Sequence, residues 1–104
     1  MARVIWTNPA LADVQHIIEY ISNDSLFYAE RVGTRIVQAP RRLKQFPFSG
    51  RVVPEFSDNN IREIIYGAYR IIYQIREDVC YVVAVIHGSR NLPLHVHPND
   101  WILQ

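Results

Sequence analysis

Residues 61–90 read IREIIYGAYRIIYQIREDVCYVVAVIHGSR. The stretch is dense in β-branched and aromatic side chains, the composition that suits a pleated sheet. It divides into strands at about 61–66, 69–76 and 79–87. Gly67-Ala68 suits a two-residue hairpin turn with glycine first, whose twist matches the flanking strands. Glu77-Asp78 marks a second turn, although neither residue readily accepts a positive φ. Glu63, Arg70, Gln74 and His87 interrupt the apolar runs. They are either solvent-facing residues or the polar part of a working face.

Side chains alternate faces along a strand, so register decides which residues share a side. With two residues in each turn, one face collects Ile64, Tyr66, Tyr69, Ile71, Tyr73, Ile75, Cys80, Val82, Ala84 and Ile86. That face is nearly all apolar and is expected to lie against helices, with Arg62 reaching solvent at its edge. The other face collects Glu63, Ile65, Arg70, Ile72, Gln74, Tyr81, Val83, Val85 and His87, with His87 diagonal to Arg70. A three-residue second loop would flip the last strand and separate Arg70 from His87. Two readings of the polar face stand side by side. One is a partly covered surface on which Arg70 and Glu63 form an ion pair worth about 0–1 kcal/mol. The other is a binding or catalytic surface.

Upstream, ARVIW (2–6) reads as a short strand. Thr7 or Asn8 can cap a helix in which Pro9 takes the first position, where its missing N–H is harmless. Leu11, Val14, Ile18 and Ile21 follow at helical spacing. SNDS (22–25) stops that helix and caps a second one, with Ala29, Val32, Ile36, Ala39, Leu43 and Phe46 on one stripe. Pro40 lies inside the stripe, so a kink or local break is expected there. Tyr20, Phe27 and Tyr28 are expected to pack on the helices, and Trp6 to pack in the core or at its edge. RVVPEF is a short extended piece and SDNN a loop. The order β-α-α-β-β-β predicts one α+β domain over 1–104: an N-terminal strand, an antiparallel helix hairpin, then a three-strand antiparallel meander with the helices on one sheet face. The core spans about 3–91, and 92–104 form a tail whose Leu94, Trp101, Ile102 and Leu103 are expected to pack on apolar surface or on another chain.

At 104 residues and 49% hydrophobic, the chain supports one core and is not disordered. No apolar run is long enough for a membrane span, and MARVIWTNPA lacks the apolar core of a signal peptide. The single cysteine, Cys80, lies within a strand and reads as a buried thiol in a reduced, cytoplasmic protein. His95 and His97 are too few to make a metal site, and neither metal nor cofactor is expected. The net charge is +1, but ten of the eleven basic residues are arginine. Six basic residues, Arg31, Arg35, Arg41, Arg42, Lys44 and Arg51, fall between 30 and 51 against Glu30 alone. Such a stripe is either a solvated helix face or an attractant for nucleic acid or an acidic partner.

Three segments, NPALADVQHIIEYI, FPFSGRVVPEF and REIIYGAYRIIYQI followed by VIHGSR, together resemble the RelE/ParE superfamily of small bacterial toxins. The resemblance covers about residues 3–91. It implies a helix hairpin over a twisted antiparallel sheet, a place in a toxin–antitoxin (plasmid-stabilisation) module, and a cognate antitoxin as partner. The superfamily divides by target. RelE- and YoeB-like members are ribosome-dependent mRNA endoribonucleases, whereas ParE-like members poison DNA gyrase.

By that resemblance Glu55 stands where YoeB-like enzymes have a catalytic glutamate, and Arg70 matches the arginine that supports the scissile phosphate. His87 lies about one residue from their general acid, with no tyrosine after it. The lysine pair of RelE-like enzymes has no counterpart near PEFSDNNIRE, and VIHGSR looks more like ParE-like sequences. A nuclease would use Glu55 as base for the ribose 2′-OH, His87 as acid for the leaving oxygen, and Arg70 with Arg51 or Arg90 to stabilise charge. Glu63 and Gln74 would complete the face. A gyrase inhibitor would instead use the basic stripe, including Arg41, Arg42 and Lys44, as contact surface. The ParE-like reading is preferred, with the ribosome and mRNA as the alternative target.

Overall fold

The computed structural model describes residues 1–90. The tail residues at 92–104, with His95, His97 and Trp101, lie outside that range. Strand β1 (Arg3–Trp6) leads into helices α1 (Asn8–Ser22) and α2 (Leu26–Gln38) and a 3₁₀ helix (Ala39–Lys44). Strands β2 (Arg51–Val52), β3 (Ile61–Tyr66), β4 (Tyr69–Arg76) and β5 (Val79–His87) follow. The three meander strands have the expected bounds. The sheet is larger than the expected meander, because β1 and β2 join it at its two edges in the order β1-β5-β4-β3-β2. β1 runs parallel to β5, and the remaining neighbours are antiparallel.

Local chemistry sets the helices. The Thr7 hydroxyl caps α1 by accepting from Ala10 N at 3.4 Å and donates to Val82 O at 2.8 Å. One side chain thus starts the helix and ties it to β5. Ser25 caps α2 by accepting from Tyr28 N at 3.1 Å. Pro40 brings the local break expected of it: the α-helix ends at Gln38 and the chain continues as 3₁₀ turns. The hairpin closes tightly at Gly33, where a Cβ would meet the Ile18 side chain at 2.6 Å. The stripes differ in detail. Ala10 is buried while Leu11 is half exposed, and Phe46, beyond the 3₁₀ helix, is exposed. Tyr20, Phe27 and Tyr28 also face solvent instead of packing on the helices. No helix among the described residues is long and apolar enough to cross a membrane.

The sheet is buried on both sides. Val14, Val32, Ile36 and Leu43 cover Ile64, Ile71, Tyr73, Ile75, Cys80, Val82 and Val85, with Trp6 at the margin. On the reverse side Val53, Ile61, Ile72, Val83, Ala84 and Ile86 form a second, smaller apolar cluster with Phe56 and Tyr81.

Both hairpin turns hold two residues, pairing Tyr66 with Tyr69 and Arg76 with Val79. Gly67 has φ +55° at the first turn, and Glu77 takes φ +54° at the second. The parity of β5 nevertheless fails midway. Tyr73 pairs with Val82 but Ile72 pairs with Ala84, so Val83 is an extra residue, a β-bulge. Beyond it, Ala84 and Ile86 lie on the reverse side and Val85 and His87 on the helical side, opposite to expectation.

Candidate functional site

The polar residues of the reverse side meet around Arg70. β2 places Arg51 directly opposite Glu63 on β3. After β2 the chain turns back, with Phe56 N and Ser57 N both donating to Val53 O, and this turn brings Glu55 over β4. Arg70 Nε donates to Glu63 Oε1 at 2.6 Å. Its two terminal nitrogens donate to the two oxygens of Glu55 at 2.7 and 2.8 Å. Arg51 Nε donates to the other oxygen of Glu63. The Glu63 side chain is fully buried and that of Arg70 nearly so, whereas Arg51 is 60% exposed. The hydrogen bonds that Arg70 donates to Glu55 raise its pKa most. Burial opposes this and Glu63 adds to it, so the guanidinium is fixed as a cation.

The cluster joins two guanidiniums to two carboxylates and is formally neutral. The expectation of a surface ion pair between Arg70 and Glu63 is therefore corrected in depth: the pair exists, but as a buried charge network. In such a network geometry and full hydrogen bonding decide whether the Coulombic gain offsets desolvation. Gln74 borders the cluster's strand between Ile61 and Tyr81. Its Oε1 is buried without a hydrogen-bond partner among the described residues.

His87 is not part of this group. It pairs with Tyr69, and the two rings meet edge to face with centroids 5.8 Å apart. Ser89 N donates to His87 Nδ1 at 3.2 Å, and the Ser89 hydroxyl lies 2.8 Å from the same nitrogen. With Nδ1 accepting, the neutral ring carries its proton on Nε2. His87 and Arg90 instead line an open cleft of about 700 Å³ beside α1, with Asp13, His16, Tyr20 and Tyr69. The expected placement of His87 diagonal to Arg70 is thus overturned, and the Val83 bulge is the physical reason; Arg90, a candidate charge stabiliser, lies in the same cleft. Arg41, Arg42 and Lys44 are exposed on the 3₁₀ helix, within a different part of the chain.

Two residues that hold the site were not singled out by sequence. Tyr73 Oη accepts from Gly50 N at 3.0 Å and donates to Pro47 O at 2.7 Å. Arg62 donates to the carbonyls of Phe48, Gly50 and Asn59 and stacks over the Phe48 ring at 5.0 Å. Together they fix the loop that delivers Arg51 and Glu55. Neither role leaves a local signal in the sequence, because both side chains act on the loop at 46–50 from strands at least 12 residues away in the chain.

A family model described as "ParE toxin of type II toxin-antitoxin system, parDE" matches residues 4–92. Toxin RelE2 of Caulobacter vibrioides is 32% identical over 91 residues, covering 86% of this chain and 99% of that protein. Among solved structures, a chain from the chromosomal ParDE TA system of P. aeruginosa superposes with a TM-score of 0.71 at 17% identity. That match covers 86% of this chain and 98% of the other, and at such identity it speaks for the fold alone. A five-stranded sheet under a helix hairpin, matched by this family along nearly its whole described length, places the chain in the ParE toxin family of type II toxin–antitoxin systems.

Proposed function

We propose that the chain is the growth-inhibiting toxin of a type II toxin–antitoxin module, restrained by a cognate antitoxin, and that it acts in the cytoplasm by inhibiting DNA gyrase. The observation that carries the choice of target is the state of the Arg70 face. A ribonuclease of the RelE or YoeB kind needs a base, an acid and uncompensated cations around one phosphate. Here both oxygens of Glu55 are engaged by Arg70, Glu63 is fully buried, and the four charges cancel. The described histidines, His16 and His87, both lie in the cleft on the helical side. The family match and the VIHGSR ending favour the same reading.

An antitoxin has apolar surface to cover. Tyr20, Leu26, Phe27 and Tyr28 are exposed at and beside the turn between α1 and α2. Clustered exposed aromatic and aliphatic side chains mark protein interfaces more often than free surface. Co-expression with a cognate antitoxin is expected to yield a complex that only denaturant separates.

The test of target uses purified toxin in two reactions. Supercoiling by gyrase is expected to fall with toxin concentration, while primer extension on mRNA from a translation reaction shows no new ends. Codon-specific cleavage that disappears in Arg70→Ala, with gyrase unaffected, would establish the ribonuclease instead.

A further inference from the structure

The net charge of +1 conceals an asymmetry. Residues 30–51 hold six basic side chains against one acidic, whereas the rest of the chain holds five against nine, so +5 and −4 compose the total. Of the six, Arg51 is bound to Glu63. The other five, Arg31, Arg35, Arg41, Arg42 and Lys44, are exposed and form no ion pair among the described residues. Arg31, Thr34, Arg35 and Gln38 line one open groove along α2, with Phe27 and Glu30. Gln38 also lines the adjoining groove with Val37 and Arg41. A basic ridge thus runs along the two adjoining grooves through Arg31, Arg35 and Arg41, and Arg42 and Lys44 follow on the 3₁₀ helix, where Arg42 Nε donates to Ser49 Oγ at 3.3 Å.

We propose that this ridge binds the phosphate backbone of duplex DNA. Four of its five cations are arginine, whose planar fork fits phosphate oxygens. Thr34 and Gln38, between the arginines, are the neutral donors that commonly accompany them on phosphates. An amphipathic acidic peptide would need an unbroken apolar seam along its length, but Phe27 lies in one groove and Ile18 and Val37 in the other, with Glu30, Thr34 and Gln38 shared between the two. A single strand would need a row of stacking aromatics, and the two grooves have none beyond Phe27. The contour from residue 31 to residue 44 is about 20 Å, roughly six base-pair steps of a duplex with two charges per step. The choice of DNA over RNA duplex rests on the gyrase reading, since the enzyme works on duplex DNA.

The experiment is fluorescence anisotropy of the purified chain with a labelled DNA duplex of about 20 base pairs, across roughly 50 to 200 mM salt. With four or five phosphates contacted, the log–log slope of affinity against salt is expected near about −4. Arg41→Ala with Arg42→Ala should reduce its magnitude by about 2, with the circular dichroism spectrum unchanged. Arg76→Ala, an exposed cation off the ridge, should leave it as it was. A flat salt dependence, equal loss in Arg76→Ala, or binding of polyglutamate without binding of duplex would each overturn the inference. So would preference for a single strand or an RNA duplex of the same sequence. Gyrase inhibition without any duplex binding overturns the ridge assignment and spares the target. Duplex DNA binding with gyrase unaffected upholds the ridge and overturns the target.

Discussion

Glu63 and Arg70 share a hydrogen bond of 2.6 Å in which the carboxylate side chain is fully buried and the guanidinium only 7% exposed. The residues come from adjacent strands and are offset by two pairs on the same face, since Glu63 faces Ile72 and Arg70 faces Ile65. Glu55 and Arg51 supply the second partner for each, and both of these reach solvent. The buried pair therefore links an edge strand, a loop and the centre of the sheet.

Removing one member should expose this dependence. Glu63→Ala or Arg70→Ala leaves a buried charge with half its partners, and each is expected to destabilise by about 3–5 kcal/mol. The double substitution Glu63→Leu with Arg70→Met leaves only Arg51 and Glu55, which solvent can serve. It should be less destabilising than the sum of the single substitutions by 1 kcal/mol or more, roughly. Urea unfolding of the three variants measures the coupling, and strict additivity would show that the two charges do not depend on each other.

The approach of β2 to the sheet depends on Gly50. A Cβ there would lie 2.6 Å from the Tyr73 hydroxyl and 2.7 Å from the backbone oxygen of Glu63. The backbone oxygen cannot swing aside as a flexible side chain can. Gly50→Ala is expected to cost about 1–3 kcal/mol of stability and to loosen Arg51 from Glu63. Thermal unfolding checks the first effect. A variant as stable as the parent would show that the loop is free to move away.

Asp13 gives the fold a pH dependence with a defined sign. Burial raises its carboxyl pKa above the ordinary 3.8. The hydrogen bond from Val85 N and the nearby His16 and Arg90 pull the other way without cancelling the rise. A raised folded value means that the native state favours the protonated acid. The stabilisation is complete below the unfolded value and is lost as pH rises through the folded one. Asp13→Asn keeps an acceptor for Val85 N, which lies 2.9 Å from Asp13 Oδ2, and does not titrate. Relative to the parent it should gain stability as pH rises from about 3.8 through the folded value towards neutrality. Melting temperatures of both proteins across that range test this, and a constant or opposite difference would contradict it.

The second hairpin turn holds Glu77 at φ +54°, a left-handed conformation that disfavours a side chain by about 1–2 kcal/mol. Glu77→Gly removes that strain and adds unfolded-state freedom worth roughly 0.5–1 kcal/mol. The net effect should be stabilisation by up to about 1 kcal/mol. Chemical denaturation is the measure, and destabilisation would mean that the Glu77 side chain contributes to the turn in some other way.

Much of this architecture was legible. The strand bounds at 61–66, 69–76 and 79–87 follow from β-branched runs separated by two-residue turns. The caps Thr7 and Ser25 and the break at Pro40 follow from local backbone chemistry. The Val83 bulge was not legible for a specific reason. VCYVVAVIH is apolar on both faces because β5 is buried on both, so no alternation of polar and apolar residues marks where its parity changes. That one residue carries His87 to the far side. The depth of Glu63 was hidden similarly. A lone glutamate among isoleucines looks the same in sequence whether water or Arg51 and Arg70 face it. The extra edge strands depend on pairings distant in sequence, Arg3 with Val79 and Arg51 with Glu63, which no local pattern encodes.

The separation of His87 from Arg70 leaves the Arg70 face without an imidazole acid, which is part of the state that decides the target, and nuclear Overhauser contacts of the His87 ring read it directly. Contacts are expected from the imidazole protons to the Tyr69 ring and to α1 side chains lining the same cleft, and none to Glu55 or to the Arg70 guanidinium. Contacts from His87 to Arg70 and Glu55, with Tyr69 silent, would contradict that separation.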